Sequence, residues 1–333
     1  MQFENSLTKT LGIEFPMIMA PMFLVSNLPM MVSGIENGIA AAFPSLNYRE
    51  DGELERILKE LNECKSKNEG KGTYGINLIV QRSNPLLDQH LEICRRLQVP
   101  FYITSLGSPK KVIEIARTYG AKVFCDVTNL AHAQKCYELG CDGFIAVGQG
   151  AGGHAGPNPL MLLVPALRKA YPDKIVIAAG GIATGNAVAS VFALGGHGVS
   201  VGTRFIASHE ASVNDAYKNA VVNSGMDDIV MSSKISGTPC TIVNTPYAQK
   251  IGYDQSWFEK LLSRNKTTRK YFKMLVQLKG MKKLEASIKP ANYKTLWVVG
   301  KSAEMIDEIS TVKFIIEKIR NETRAVLSQI SKI

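Results

Sequence analysis

Residues 147–156 read VGQGAGGHAG, with five glycines and one histidine in ten positions. Taken literally, Gly148, Gly150 and Gly153 have the G-x-G-x-x-G spacing of a dinucleotide-binding turn. That motif works where a strand runs through a tight turn straight into a helix, with an acid about 20 residues further on. Here His154 is followed by AGPNPL, whose prolines and glycine postpone any helix to about Leu160, and Asp173 lies before its strand instead of at its end. The alternative is a loop poor in side chains. Glycine lets the main chain lie against a flat ring without interference from a Cβ. Such a loop presents His154 as a group that is neutral, yet able to accept a proton, near physiological pH. The other histidines, at 90, 132, 197 and 209, fall in expected helices or helix–strand turns and read as surface or packing residues.

A second constellation is AAGGIATGNAVASVFALGGHGVSVGTRF, residues 178–205. Gly180 and Gly181 close one apolar run, a helix opens near Thr184, and Gly202 and Thr203 close the next run. In (β/α)8 barrels the loops after the last two strands commonly bind a phosphate through backbone N–H groups. A helix N-terminus adds partial positive charge, and the Thr203 hydroxyl can donate. A phosphate at one end and a flat ring along bare main chain at the other suggest flavin mononucleotide, FMN.

These groups need elements to hold them. Apolar runs at 16–22, 39–45, 74–80, 101–106, 122–127, 143–148, 174–181 and 198–205 predict eight strands. They are nearly continuous in hydrophobic character, as parallel strands buried on both faces are. Helices are expected at 51–65, 85–97, 108–119, 129–139, 160–171 and 184–194. Eight such units predict an α/β (β/α)8 TIM barrel, with a doubly wound open sheet as the rival. The glycine-rich and polar stretches sit at the expected carboxyl ends of the strands, where a barrel places its chemistry. After about residue 222 the rhythm changes. We expect an FMN-binding barrel over 1–222, an inserted smaller helical lid or substrate domain over 223–290, and helices returning to the barrel over 291–333. Tyr247, Tyr253 and Trp257 are candidates to line the substrate pocket, with helix packing as the alternative.

With 333 residues, 45% hydrophobic and 20% charged, the chain has the composition of a globular protein with a sizeable core. No apolar run approaches a membrane span, and the first residues lack the pattern of a secretory signal. Six scattered cysteines without a C-x-x-C pair predict reduced packing residues in a cytoplasmic protein. The net charge is +10, with much of the excess in 260–289. That segment reads as a solvated helical face, as a mouth attracting anions, or as a nucleic-acid patch. It carries no reader motif, so no nucleic-acid partner and no membrane partner is expected, nor is a metal. A homodimer is one candidate assembly.

The residues resemble a family. AAGGIATGNAVASVFALGGHGVSVGTRFIASHE, AGGHAG, the early APM and YGINL are similar to the nitronate monooxygenases, formerly 2-nitropropane dioxygenases, over about residues 11–210. LWVVGKSAEMI, 296–306, resembles the family's closing segment. The resemblance implies an FMN-containing barrel with a helical second domain and His154 as catalytic base. It implies Ala20, Pro21 and Met22 beside the flavin, Asn77 hydrogen-bonded to its ring system, Gly148 and Gly153 in the loop along it, and Gly180, Gly181, Gly202 and Thr203 as phosphate grip. Two departures stand out. Val147-Gly148-Gln149-Gly150 replaces a glutamine-glycine-x-acid pattern, and Asp126 stands near the flavin where relatives place lysine or threonine; an anion there disfavours a reduced, anionic flavin. The activity implied is oxidation of alkyl nitronates or nitroalkanes with dioxygen to carbonyl compounds and nitrite. Flavin-dependent enoyl-acyl-carrier-protein reductases share the skeleton, so NAD(P)H-dependent reduction of a quinone or an enoyl thioester is the alternative.

Overall fold

The computed structural model describes residues 2–81, 84–233, 239–254 and 295–332. Eight parallel strands close into a barrel in sequence order: β1 (Met17–Met19), β2 (Ala40–Pro44), β3 (Thr73–Ile79), β4 (Phe101–Ser105), β5 (Lys122–Val127), β6 (Gly143–Val147), β7 (Ile175–Ala179) and β8 (Gly198–Val201). Pairing of β8 with β1, with Ile18 opposite Ser200, closes the cylinder and excludes the open-sheet rival.

Because successive side chains of a strand point to opposite faces, each apolar run serves two cores. Ile18, Ala40, Ala42, Phe101, Ile103, Phe124, Ile145, Ile175 and Ile177 fill the barrel. Their neighbours, among them Met17, Met19, Phe43, Tyr74, Ile76, Tyr102 and Phe144, pack outward against the helices. Gly75 makes room for the Phe101 ring, which would lie 2.4 Å from a Cβ at that position.

The helices between strands are α2 (Leu28–Glu36), α3 (Glu53–Lys67), α4 (Leu87–Arg96), α5 (Lys110–Arg117), α6 (Leu130–Leu139), α7 (Leu160–Ala170) and α8 (Gly185–Ala193). Several begin on side-chain caps: the Asn27 carbonyl accepts from the Met30 amide and Asn129 from His132, each satisfying a donor that the helix itself leaves open. The last long helix, α12 (Val312–Ile330), packs between α8 and α2 and completes the ring. Its Arg320 donates to Asn37 O at 2.6 Å. Before it come α9 (Thr203–Ile206), α10 (Asp215–Val222), α11 (Pro246–Ile251) and an antiparallel pair, β9 (Ile229–Ser232) and β10 (Cys240–Val243).

Some elements differ from expectation. A short helix at the N-terminus, α1 (Ser6–Leu11), and α2 were not foreseen. β1 is three residues long, so Ala20, Pro21 and Met22 belong to the loop beyond it. β8 stops at Val201, and Thr203-Arg204-Phe205 starts a helical turn. The segment expected as a helical lid contains the β9–β10 ribbon in its described part. The expected helices at 256–264 and 267–285, the basic run at 260–289 and Trp257 lie outside the described residues. All six cysteines are free and all but Cys64 are buried. Among the described residues no helix is long and apolar enough to cross a membrane.

Candidate active site

The carboxyl end of the barrel opens into a cavity of about 880 Å³. Its floor is polar because inward positions near the carboxyl ends of three neighbouring strands carry Asn77, Ser105 and Asp126. Asn77 Nδ2 donates to Ile103 O at 3.2 Å and to Ser105 Oγ at 2.8 Å, and Ser105 Oγ donates to Asp126 Oδ2 at 2.5 Å. Burial raises the Asp126 pKa to about 6, against the lowering effect of the Ser105 hydrogen bond. Asp126 is only partly shielded from the water of the cavity, so the low-dielectric walls, rather than complete exclusion of solvent, explain the shift.

One wall is the glycine loop after β6, and it is clasped from three sides. Gly150 O accepts from the Gly181 amide at 3.1 Å, in the loop after β7. The Ala151 and Gly153 carbonyls accept from Thr241 of β10, through Oγ1 at 2.9 Å and through its amide at 2.9 Å. On the third side, Gly300 lies against Gly152, and its amide donates to Thr203 Oγ1 at 3.0 Å. A Cβ on Gly180, where φ is +114°, would sit 2.6 Å from the Ala151 amide, and one on Gly300 would sit 2.7 Å from that of Gly152. Glycine is required here because backbones touch.

That clasp holds His154 at the cavity wall. The imidazole is open to the cavity, while the protein crowding around it lowers its pKa below the ordinary value by desolvation. It is therefore neutral at physiological pH, the form that accepts a proton.

The structure brings Ala20, Pro21, Met22, Asn77, Asp126, Gly153, His154, Gly180, Gly181, Gly202 and Thr203 to this one cavity. Gly148 is not among its lining residues. A Cβ there would meet Leu160 at 2.8 Å, and its amide bonds Ala179 O at 2.8 Å, so it shapes the strand end. Tyr247 and Tyr253 pack with Ile242, Ala248 and Leu296 in a satellite cluster; Leu296 lines the cavity, and the two tyrosines are not among its lining residues. Tyr217 reaches the cavity instead, stacked on Trp297 at 5.7 Å between ring centroids.

Sequence reasoning missed Ser105, Thr241 and Gly300, whose roles depend on contacts between distant segments. It also missed Leu24 and Leu106, cavity residues with φ of +61° and +62°. Side chains rarely adopt that backbone and it persists only where surroundings enforce it. Asn47 does so for Leu24, accepting from its amide at 2.9 Å while donating to Met22 O and Ser26 O.

The family model described as nitronate monooxygenase matches residues 48–322. The chain belongs to this family. Membership makes it a flavin-dependent oxidoreductase. A Rhodococcus jostii relative, named (3aS,4S,5R,7aS)-5-hydroxy-7a-methyl-1-oxo-octahydro-1H-indene-4-carboxyl-CoA dehydrogenase, is 30% identical over 73% of this chain and 66% of its own length. A probable nitronate monooxygenase of Staphylococcus aureus is 25% identical over 74% of this chain and 80% of its own. Among solved structures, FabK from Thermotoga maritima superposes with a TM-score of 0.82 at 28% identity, covering 99% of both chains.

The family member's cavity suits a flavin in particular ways. A Cβ on Gly181, where φ is +72°, would meet no protein atom within 4 Å, so bare main chain faces open space there. The Asn77 amide nitrogen is committed to the protein, which leaves its carbonyl oxygen for a ring N–H. The phosphate grip is narrower than expected. Gly181 N–H is taken by Gly150 O, and Gly185 N–H at the start of α8 is taken by the Glu322 carboxylate at 2.7 Å. Among the described residues, donors left on this side include the Thr203 hydroxyl and the first two amides of the α9 turn, while the Phe205 amide is taken by Gly202 O at 2.8 Å.

Proposed function

We propose that this family member is an FMN-dependent nitronate monooxygenase, converting alkyl nitronates with dioxygen to carbonyl compounds and nitrite. The observation that supports it most is the neutral His154, clasped at the wall of a cavity whose other surfaces are glycine main chain. His154 removes the acidic proton next to a nitro group, or holds a nitronate already formed by donating to its oxygen once protonated. FMN, when bound, takes up electrons from the substrate. The Asn77–Ser105–Asp126 chain keeps the floor polar, and Asp126, titrating near 6, takes a proton when negative charge builds up nearby. The glycine loops after β6 and β7 would leave room for a flat ring beside His154.

A second reading is an NAD(P)H-dependent reductase or dehydrogenase acting on a thioester. The cavity favours it: single drug-sized ligands occupy roughly 300–1,000 Å³, and about 880 Å³ takes a flavin with room left beyond a small nitronate. The Rhodococcus relative is named for a CoA substrate. Anaerobic stopped-flow spectroscopy separates the two. Bleaching of the bound flavin by ethyl nitronate but not by NADPH supports the monooxygenase; rapid bleaching by NADPH refutes it in favour of the reductase. FMN itself is checked by releasing the cofactor and separating FMN from FAD by chromatography.

A further inference from the structure

We propose that the α6 side of the cavity is a subsite for the phosphoryl anion of a second, nucleotide-bearing ligand, with Lys135 as its fixed cation. This rests on the second reading above, in which a thioester or a nicotinamide nucleotide enters beside the flavin. Lys135 and His132 lie three residues apart on α6, on one face of the helix, and both line the cavity. Lys135 is exposed to it. Among the described residues Lys135 has no ion pair, although Lys59, Lys111, Lys122 and Lys174 of the same ring of elements all have one. The carboxylate one turn away, Glu138, accepts from Gln134 at 2.8 Å instead. Thr128 Oγ1 holds His132 Nδ1 at 3.1 Å, which leaves the other ring nitrogen as the second donor. Ser108, at the start of the neighbouring helix, adds a hydroxyl to the same part of the lining.

The position excludes the flavin phosphate as occupant. The donors suited to that phosphate belong to the loop after β8, and β8 is three strands away from β5, which leads into α6. In a closed ring of eight strands these are nearly opposite sides of the mouth. The cavity therefore has an anion-binding end that the cofactor does not use. Among the described lining residues, the only acid is Asp126 at the floor. A phosphoryl group is the anion that matches a lysine, an imidazole and a hydroxyl together.

Coenzyme A and NADP+ both carry such groups, and the test separates them. Binding of each to the flavin-loaded protein is titrated by flavin difference absorbance, for the unchanged chain and for Lys135→Gln, Lys135→Glu and Lys135→Arg. We expect one of the two ligands to bind about fivefold weaker to Lys135→Gln and at least about tenfold weaker to Lys135→Glu, with Lys135→Arg near the unchanged value. The ligand that responds is the occupant. Added salt should narrow the difference, since the pair faces water. If both ligands bind all four proteins equally, or neither binds the unchanged protein, the subsite is refuted. Nitronate turnover is measured on the same samples. If it persists while neither nucleotide ligand binds, the subsite and second reading fail while the monooxygenase stands; if no flavin turnover is found but coenzyme A binding depends on Lys135, the reverse holds.

Discussion

At the amino end of the strands, α1 lays Leu7 and Leu11, with Ile13 just after it, under Ile18, Phe101, Phe124 and Ile175. A Cβ on Gly198 would lie 2.3 Å from Leu7, so plug and barrel are in direct contact. At the carboxyl end, a few residues further along the same strands, the inward positions are Asn77, Ser105 and Asp126, and the loops are glycine and histidine. One end buries every inward group; the other keeps polar groups and bare backbone facing water. The barrel's stability is concentrated at the first end, which releases the second from packing constraints and lets it hold a half-buried carboxyl without a cationic partner among the described residues, and left-handed residues.

Four changes break or sharpen that contrast. The largest effect is on the open end: His154→Ala should cut the catalytic rate by about 10²–10⁴-fold while the denaturation midpoint and the flavin content stay unchanged, read by steady-state kinetics beside a urea melt. A mutant of equal activity would remove His154 from the chemistry. At the plugged end, Phe101→Ala, which empties a fully buried ring site, should cost about 3–5 kcal/mol of stability and leave the rate constant of the folded fraction nearly intact.

Asp126→Asn tests whether the open end carries a penalty. Its carboxyl titrates near 6 in the fold against an ordinary 3.8, so the folded state holds the proton more tightly than the unfolded chain. The contribution is neutral below both values, grows unfavourable as pH rises from about 3.8 to about 6, and stays so above. The asparagine variant, which still accepts from Ser105, should be more stable at pH 7–8 by up to about 3 kcal/mol, less because cavity water reaches the group, and equal at pH 3.5. Urea midpoints at the two pH values measure it. Of the three changes expected to alter stability, Gly181→Ala should have the smallest effect. Its φ of +72° makes any side chain strained, but no protein atom lies in the way. We expect about 1–2 kcal/mol of destabilisation, with a larger loss of flavin retention on dialysis, since the new methyl projects into ligand space.

The barrel could be read from the chain because each strand's apolar run and each glycine-marked strand end is local. Gly180, Gly181, Gly202 and His154 stood out for the same reason: glycine clusters beside strand ends have few other uses. α1 escaped notice because six residues with Leu7 and Leu11 carry too little period to distinguish a plug from a tail. α2 escaped because its Asn27 cap is followed by Leu-Pro-Met-Met, an apolar run of no clear face. Gly148 drew attention by composition alone; its contact with Leu160 is visible only once the chain folds. Asn47, Ser105, Thr241 and Gly300 are ordinary residues in the sequence, and become part of the site through partners 21 to 97 positions away.

The sequence by itself determined the eightfold alternation, the end of the cylinder at which polar groups gather and the histidine among the glycines, because hydrophobic period and missing side chains are properties of neighbouring residues. The tertiary structure alone decided how the glycine loop is clasped, which amides stay open for a phosphate, that Asp126 shares a proton chain with Asn77, and that Lys135 faces the cavity without an acidic partner among the described residues. Those depend on how close segments far apart in the chain come to one another in space, which the order of residues alone does not give.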